Sequence, residues 1–497
     1  MSSLSMTALD LKNTGLTMSF AKPVIRIIGI VLLLLAALML MPIVLLAGSQ
    51  DWNVFIMCSA ITAGCGTLAM GVCRTPINRL NPNQLFLLTV FSWVVVSTFA
   101  SLPLILVEQG LTVTDAIFET ISGITTTGST VISGLDGLPR DILLWRSILQ
   151  WLGGIGIIGM AVAILPFLRV GGMRLFQTES SDWSDKALPQ FREVAKTIVL
   201  LYLTLTVICV LCYRLVGMDW FNALNHAMTT ISTGGFSTSD QSMGQFTAPS
   251  ILWISTLFMA CGALPFTILV RFWHSHDIQL LNDQQIKGLL ISFAVPSVML
   301  AVFLAQQTDT DFFQAITVTT FNVVSIITTT GYASTDYTLW GEFPIAIFFI
   351  ITFIGGCSGS TSGGVKIFRF QISWCLVREQ LRKLVHPYAI VSRRYNNRKL
   401  SDDIIASAVA FAFIFFLSIA VFTILLCLLG VDLMTSLTGS ITALTNVGPG
   451  LGDTIGPAGN FASLPVGAKW LLAIAMILGR LELLSVLVVF SRDFWRR

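Results

Sequence analysis

Ile327-Thr328-Thr329-Thr330-Gly331-Tyr332 is a short, polar, glycine-bearing stretch set among long apolar runs. Near-copies stand at Ile124-Thr125-Thr126-Thr127-Gly128-Ser129, Thr230-Ile231-Ser232-Thr233-Gly234-Gly235 and Leu444-Thr445-Asn446-Val447-Gly448-Pro449. Four copies spaced by about 100 residues mean one unit used four times. Each follows a short helical stretch, over 115–125, 219–230, 311–328 and 432–444, and each stretch begins near an Asp. Asp is a good N-cap and suits the positive end of a helix. A dozen residues at ~1.5 Å each reach only about half of a ~30 Å hydrocarbon core, so such a helix dips in and must return. Its C-terminal end then carries partial negative charge toward the membrane centre, where it favours a cation. The residues that follow are extended backbone, tolerated at that depth only where protein or a watery cavity covers it. Four such carbonyl-bearing segments around one axis make a cation filter, and the glycines permit positive φ and close approach. One Thr-Thr-Thr-Gly alone would read as an ordinary loop. Four, each behind a short helix and between long apolar runs, would not.

Composition sets the surroundings. The 497 residues are 54% apolar and only 11% charged, against about 25% charge in soluble domains, and mean hydropathy is +0.81. The chain therefore reads as an all-α polytopic membrane protein. Residues 1–22 are polar, a loose segment or an interfacial helix. The apolar run over about 24–48 is too long for the core of a cleavable signal. A second span is expected over about 54–71. Four span–half-helix–span units follow, with spans at about 84–107 and 143–168, 193–216 and 250–273, 287–305 and 343–374, and 403–429 and 467–490. This divides the chain into an N-terminal segment, 1–78, and pore units at 79–175, 176–280, 281–400 and 401–497, with ten full spans in all.

Lys and Arg in the short loops orient the spans. Arg74, Arg79, Arg169, Arg174, Lys186, Arg192, Lys196, Arg271, Lys287, the run from Arg378 to Lys399, and Arg492, Arg496 and Arg497 all fall on one side if the half-helices are re-entrant. Asp51, Glu108, Asp136, Asp240, Asp336, Glu342 and Asp453 fall on the other. Both termini are then cytoplasmic. Counting a half-helix as a full span would scramble the sides.

Two further features stand out. Gly355-Gly356-Cys357-Ser358-Gly359-Ser360-Thr361-Ser362-Gly363-Gly364-Val365-Lys366 interrupts the third returning span. So many glycines and hydroxyls do not hold a lipid-facing helix, so the break must line a cavity just below the filter, where a flexible loop would act as a gate. The alternative is a helix-packing face, since Gly355, Gly359 and Gly363 have G-x-x-x-G spacing. The second feature is Arg480, midway along the last span, where a lone Arg costs at least ~2.5–3.5 kcal/mol. Either it projects into the pore below the filter, raising a barrier to cations, or it makes a structural salt bridge. The basic run 378–399 reads as an orientation and lipid-contact segment or as a docking site for a cytoplasmic partner. The nine cysteines show no disulfide or metal framework, and Cys209 and Cys212 read as packing residues within a span. Nucleotide-binding, zinc-protease and Ser/His/Asp patterns are missing, so the sequence does not read as an enzyme.

At this point the sequence resembles the bacterial TrkH/TrkG/KtrB potassium-uptake proteins, relatives of the plant HKT transporters, over nearly the whole chain. The two extra N-terminal spans are similar to the TrkH branch. The resemblance implies a potassium-channel-like fold of four pseudo-repeated units in one chain, potassium as the transported ion and location in the bacterial inner membrane. The implied filter is Thr126, Thr127 and Gly128; Ser232, Thr233 and Gly234; Thr329, Thr330 and Gly331; and Asn446, Val447 and Gly448. The implied gate is Gly359, Ser360, Thr361, Ser362, Gly363, Gly364 and Lys366 with Arg480. Ser in the first unit accompanies sodium preference in the plant relatives, so Gly128 points to potassium. In the fourth unit Asn446-Val447 replace the Thr pair, which makes the ring asymmetric. The resemblance also implies a homodimer with one pore per chain and a cytoplasmic TrkA-like ring that senses a nucleotide, ATP/ADP or NAD(H). No covalent cofactor, catalytic residue or nucleic acid is implied. Coupling to sodium or protons remains open at this point, although the pore shows no carboxylate relay.

Overall fold

The computed structural model describes residues 8–46, 51–73, 80–108, 110–163, 187–275, 282–308, 310–389, 391–396 and 398–495. Helix α1 (Ala8–Leu38) continues into α2 (Met41–Leu45) and packs along α3 (Trp52–Val72). The two long helices touch through glycine: a Cβ on Gly29 would lie 2.8 Å from the Gly66 carbonyl oxygen, and one on Gly66 would lie 2.9 Å from that of Gly29. Small residues at a helix crossing allow this backbone approach.

The order long helix, short helix, turn, returning helix then occurs four times. The first set is α4 (Pro82–Ala100) with α5 (Leu102–Leu106), α6 (Val113–Ile124) and α7 (Arg140–Ala163). The second is α8 (Ala187–Leu215), α9 (Trp220–Ile231), α10 (Pro249–Ala263) and α11 (Phe266–Ser275). The third is α12 (Gln284–Gln307), α13 (Phe312–Ile327), α14 (Glu342–Ile351) and α15 (Ile367–Val385). The fourth is α16 (Asp402–Leu428), α17 (Leu433–Thr445), α18 (Val466–Arg480) and α19 (Leu483–Phe490), before α20 (Arg492–Trp495).

The short helices start as their caps dictate. Asp219, Asp311 and Asp432 each accept a backbone N–H from the first turn. In the first set the cap is Thr112, which accepts the N–H of Asp115, so α6 begins two residues before the expected Asp.

Among the described residues, seven helical stretches are long and apolar enough to cross a membrane, or nine if each of two bent pairs is one span. Ten full spans are expected from hydropathy, one of them broken by the Gly/Ser run; the described residues give this smaller number because the second and fourth returns are bent as well. The second returning helix bends by 98° between α10 and α11, at Leu264-Pro265, because proline withholds the N–H that would continue the ladder. The fourth bends by 108° between α18 and α19, where Glu482 takes a φ of +60°. The third stops after the ten residues of α14 and resumes only at α15. Between them the chain loops out and back, and its neck closes as a two-residue parallel strand pair, Ile354 beside Val365 and Gly355 beside Lys366.

Helix α7 is the central element. Residues in its apolar window are 72% buried, against 28–39% for the other six spans. Those six turn Leu, Ile, Val and Phe outward, as at Leu34, Leu68, Val207 and Phe413. In water such a belt would be a liability; around a multi-pass membrane protein it is the lipid-facing surface.

Past the end of α15, the chain folds back as an antiparallel pair, with Arg394 beside Lys399. Glu379 binds both Arg393 and Lys383, and Arg393 also reaches Asp402. Hydrogen bonds from Arg393 and then Lys383 hold the Glu379 carboxyl down from its usual 4.5 to about 2. A lowered folded-state value stabilises the fold above pH 4.5, and that contribution is lost as pH falls toward 2. Melting temperatures of Glu379→Gln and the unsubstituted chain should therefore differ at neutral pH and converge below pH 4. A constant difference down to pH 3 would show that this cluster adds no stability. Arg74, Arg79, Arg169, Arg174, Lys186, Arg496 and Arg497, which entered the charge-based orientation, lie outside the described residues.

Candidate functional site: four turns and the loop beneath them

The four short helices end the same way. Thr126, Thr233, Thr329 and Asn446 take left-handed φ values of 53°, 52°, 56° and 55°. The next N–H reaches back across the last turn in each: Thr127 to Ser122 O, Gly234 to Thr229 O, Thr330 to Ser325 O and Val447 to Thr442 O. This is a Schellman-type stop, normally made by glycine at the left-handed position. Threonine there is β-branched and strained by about 1–3 kcal/mol, an outlay that folds keep mainly at functional positions. One position past the residue that follows, Gly128, Gly235, Gly331 and Gly448 again take positive φ.

These glycines close a ring. A Cβ on Gly128 would lie 2.3 Å from Gly234 O, one on Gly235 1.9 Å from Thr330 O, one on Gly331 2.1 Å from Val447 O, and one on Gly448 2.7 Å from Thr127 O. Each turn therefore rests its glycine against the equivalent carbonyl of the next, and the fourth returns to the first. Only a residue without a side chain fits. The geometry also corrects the second set. Gly235, not Gly234, is the counterpart of Gly128, Gly331 and Gly448, so the equivalent triplet is Thr233-Gly234-Gly235 and not 232–234. The Gly-Gly pair hid this in the sequence.

Side chains brace the turns. Thr125 and Thr127 share a hydroxyl contact of 2.7 Å, and Thr328 and Thr330 one of 2.8 Å. Asn446 replaces the threonine geometry by donating to Thr127 Oγ1 and to Met476 O, both at 2.9 Å. Gln150 from α7 donates to Gly234 O at 2.6 Å and accepts the N–H of Phe236. Three returning helices approach the short-helix ends through glycine. A Cβ on Gly153 would lie 1.9 Å from Ile124 O, one on Gly262 2.9 Å from Ile231 O, and one on Gly479 2.1 Å from Leu444 O. None of these three glycines was singled out in the sequence. Their common signal is glycine deep in an apolar helix, alone at 262 and 479 and within Gly153-Gly154-Ile155-Gly156 in the first return.

A cavity of about 270 Å³ opens on the side to which the chain returns. It touches all four ring glycines, together with Ser129, Ser237 and Asp240.

The interrupted third return packs on the opposite side, against the C-terminal ends of three short helices. Thr361 Oγ1 donates to Ile231 O at 3.2 Å and to Gly262 O at 2.9 Å. The N–H of Gly363 reaches Thr329 Oγ1 at 2.6 Å, and that of Gly364 reaches Thr445 O at 2.7 Å. Ser360 bonds Cys357 O, and Lys366 Nζ bonds Ser362 O. Gly359 takes a φ of +75° in open space, and its carbonyl accepts from Phe266 at the bend of α10 and α11. The segment 355–364 is thus a built loop and not a helix-packing face.

Arg480 is 3% exposed, and none of its three guanidinium nitrogens has a hydrogen-bond partner among the described residues. Its neighbour Gly479 abuts the end of α17, which places it beside the fourth turn. Glu482, the nearest carboxylate in sequence, pairs instead with Arg369 at 2.5 Å. A salt bridge is therefore not what keeps Arg480 in place among the described residues.

Residues 52–496 match the family described as TrkH, cation transport protein, and the chain belongs to that family, one of membrane transporters rather than enzymes. Among its relatives, the Trk system potassium uptake protein TrkI of Halomonas elongata is 50% identical, over 96% of this chain and 97% of that one. The Trk system potassium uptake protein TrkH of Escherichia coli K12 is 34% identical, covering 96% and 99%. The crystal structure of the potassium transporter TrkH from Vibrio parahaemolyticus superposes with a TM-score of 0.88 at 32% identity, over 96% of this chain and 99% of that one.

Proposed function

We propose that this protein carries potassium selectively into a bacterial cell across the inner membrane, through a filter of main-chain oxygens. The observation that carries the reading is the closed ring in which each turn glycine meets the carbonyl of the next turn. Oxygens of residues 126–128, 233–235, 329–331 and 446–448 replace the ion's water, and the C-terminal ends of four helices favour its charge. The four sets are pseudo-repeats around one axis, with the broken returns counted as spans, and both termini are cytoplasmic. The inside-negative potential, about 2.3 kcal/mol per charge per 100 mV, drives uptake.

In this reading the loop 359–364, with Lys366 and Arg480, is the gate, lying directly under the turns. Opening it falls to a cytoplasmic TrkA-like partner that senses a nucleotide, with two copies of this chain forming a homodimer in the lipid. Coupled symport with sodium or protons is the competing reading. A channel-like path is favoured because Glu119, the buried carboxylate beside the turns, is already paired with Arg146.

The test is ion uptake into proteoliposomes. Potassium and rubidium should enter and sodium largely should not, with the current reversing near the potassium equilibrium potential whether or not a sodium or pH gradient is imposed. A reversal that shifts with the sodium or proton gradient would establish coupling instead.

A further inference from the structure

Seven residues before the left-handed residue of each turn stand Glu119, His226, Asn322 and Gly439. All four lie in the buried faces of the short helices. The first three reach across to the strand that returns from their own turn. Glu119 accepts from Thr130 Oγ1 at 3.0 Å and from the N–H of Val131 at 2.9 Å. His226 Nε2 lies 3.2 Å from Ser237 Oγ. Asn322 donates to Ser334 Oγ at 2.9 Å and accepts the Ser334 N–H at 3.2 Å. Gly439 has no side chain to do so, and Ile455 packs against it.

The first of these straps also crosses to the second turn. Arg146 from α7 binds Glu119 at 2.8 Å, with both side chains at most 1% exposed. The same guanidinium donates to Thr130 Oγ1 at 3.3 Å and to Ser237 O at 3.1 Å, and lies 4.2 Å from the Phe236 ring. One buried ion pair thus holds Thr130, two residues past Gly128, and Ser237, two residues past Gly235. A buried side chain fixed by several partners holds them to a narrow range of positions, and a filter that tells one bare cation from another needs that narrowness.

We propose that Glu119 and Arg146 are positioning residues for ion selectivity. Together they set the spacing between the first and second turns, while His226 and Asn322 brace the second and third, and in the fourth Thr438, one residue before Gly439, exchanges hydrogen bonds with Leu451. This rests on the filter reading of the four turns.

The test compares the ratio of rubidium to sodium uptake in proteoliposomes of the full chain. Gly128→Ser probes the filter itself. Glu119→Gln with Arg146→Met removes both charges, because removing one would leave the other buried and unpaired. Thr130→Val removes the hydroxyl that links the two and leaves both charges in place, so it decides the matter if the double variant does not fold. The double variant should lower the ratio by roughly five- to tenfold, tenfold being about 1.4 kcal/mol of discrimination. Sodium uptake should rise as it does so, a change that mere loss of folded protein does not produce. Thr130→Val should lower the ratio less, and Glu119→Asp should keep most of it. If Gly128→Ser lowers the ratio while Thr130→Val and any folded double variant keep it, the pair is only structural and the proposal fails, with the filter reading intact. If Gly128→Ser leaves the ratio unchanged, the filter reading fails and takes the proposal with it.

Discussion

Gly235→Ala should abolish selective potassium uptake, and Gly234→Ala should do far less. The added Cβ at 235 would lie 1.9 Å from Thr330 O, a backbone atom of the next turn, and its φ of +82° already disfavours any side chain. Left-handed strain costs about 1–2 kcal/mol and overpacking about 1–3 kcal/mol more. Together these reduce the population of well-formed rings by roughly two orders of magnitude. At Gly234 the clash is with the Gln150 amide, 2.4 Å away, and that side chain can swing aside at the loss of its hydrogen bond. Rubidium uptake by the two variants, reconstituted at equal protein, measures the difference. The opposite order would restore 232–234 as the equivalent triplet and break the cyclic contact pattern.

Arg480→Ala should raise uptake. A buried guanidinium without a hydrogen-bond partner among the described residues is a costly arrangement, and in the gate reading its positive charge opposes a cation leaving the turns. Two unit charges repel by ~4 kcal/mol at about 4 Å and an effective dielectric of about 20, and by less farther apart, so removing even part of such a repulsion should raise rubidium flux by roughly tenfold. Deleting residues 359–364 should act in the same direction by removing the Thr361 and Gly364 bonds to Ile231 O and Thr445 O. Flux that stays level or falls in Arg480→Ala, in protein that still elutes as one species, would make the residue a structural support.

The parts of the site carried by composition were legible in the sequence. Thr-Thr-Thr-Gly, twice, and its two variants between apolar runs exposed the four turns, and the Gly/Ser run exposed the broken third return, because in each case residues poor at helix formation sit where a helix was otherwise expected. The same logic found Arg480, since a charge in an apolar span has a cost that must be offset. It applies equally to Glu119, midway along α6, and Arg146, in the second turn of α7, which escaped notice because neither interrupts its helix. The second turn was misaligned because Gly234 and Gly235 are adjacent, and only the neighbour's carbonyl distinguishes them. The bends after α10 and α18 were read as straight spans because hydropathy measures apolar content and not direction. Pro265 marked the first bend. Nothing local marked the positive φ of Glu482, whose carboxylate pairs with Arg369 113 residues away in the chain.

The central claim is that a bare monovalent cation sits among the four turns. Crystals of the protein grown in rubidium, with diffraction recorded at the rubidium absorption edge, test it most directly. The account predicts anomalous density on the axis between the carbonyl oxygens of Thr127, Gly234, Thr330 and Val447. Anomalous density confined to the surface or to another cavity, with that axis empty, would contradict it.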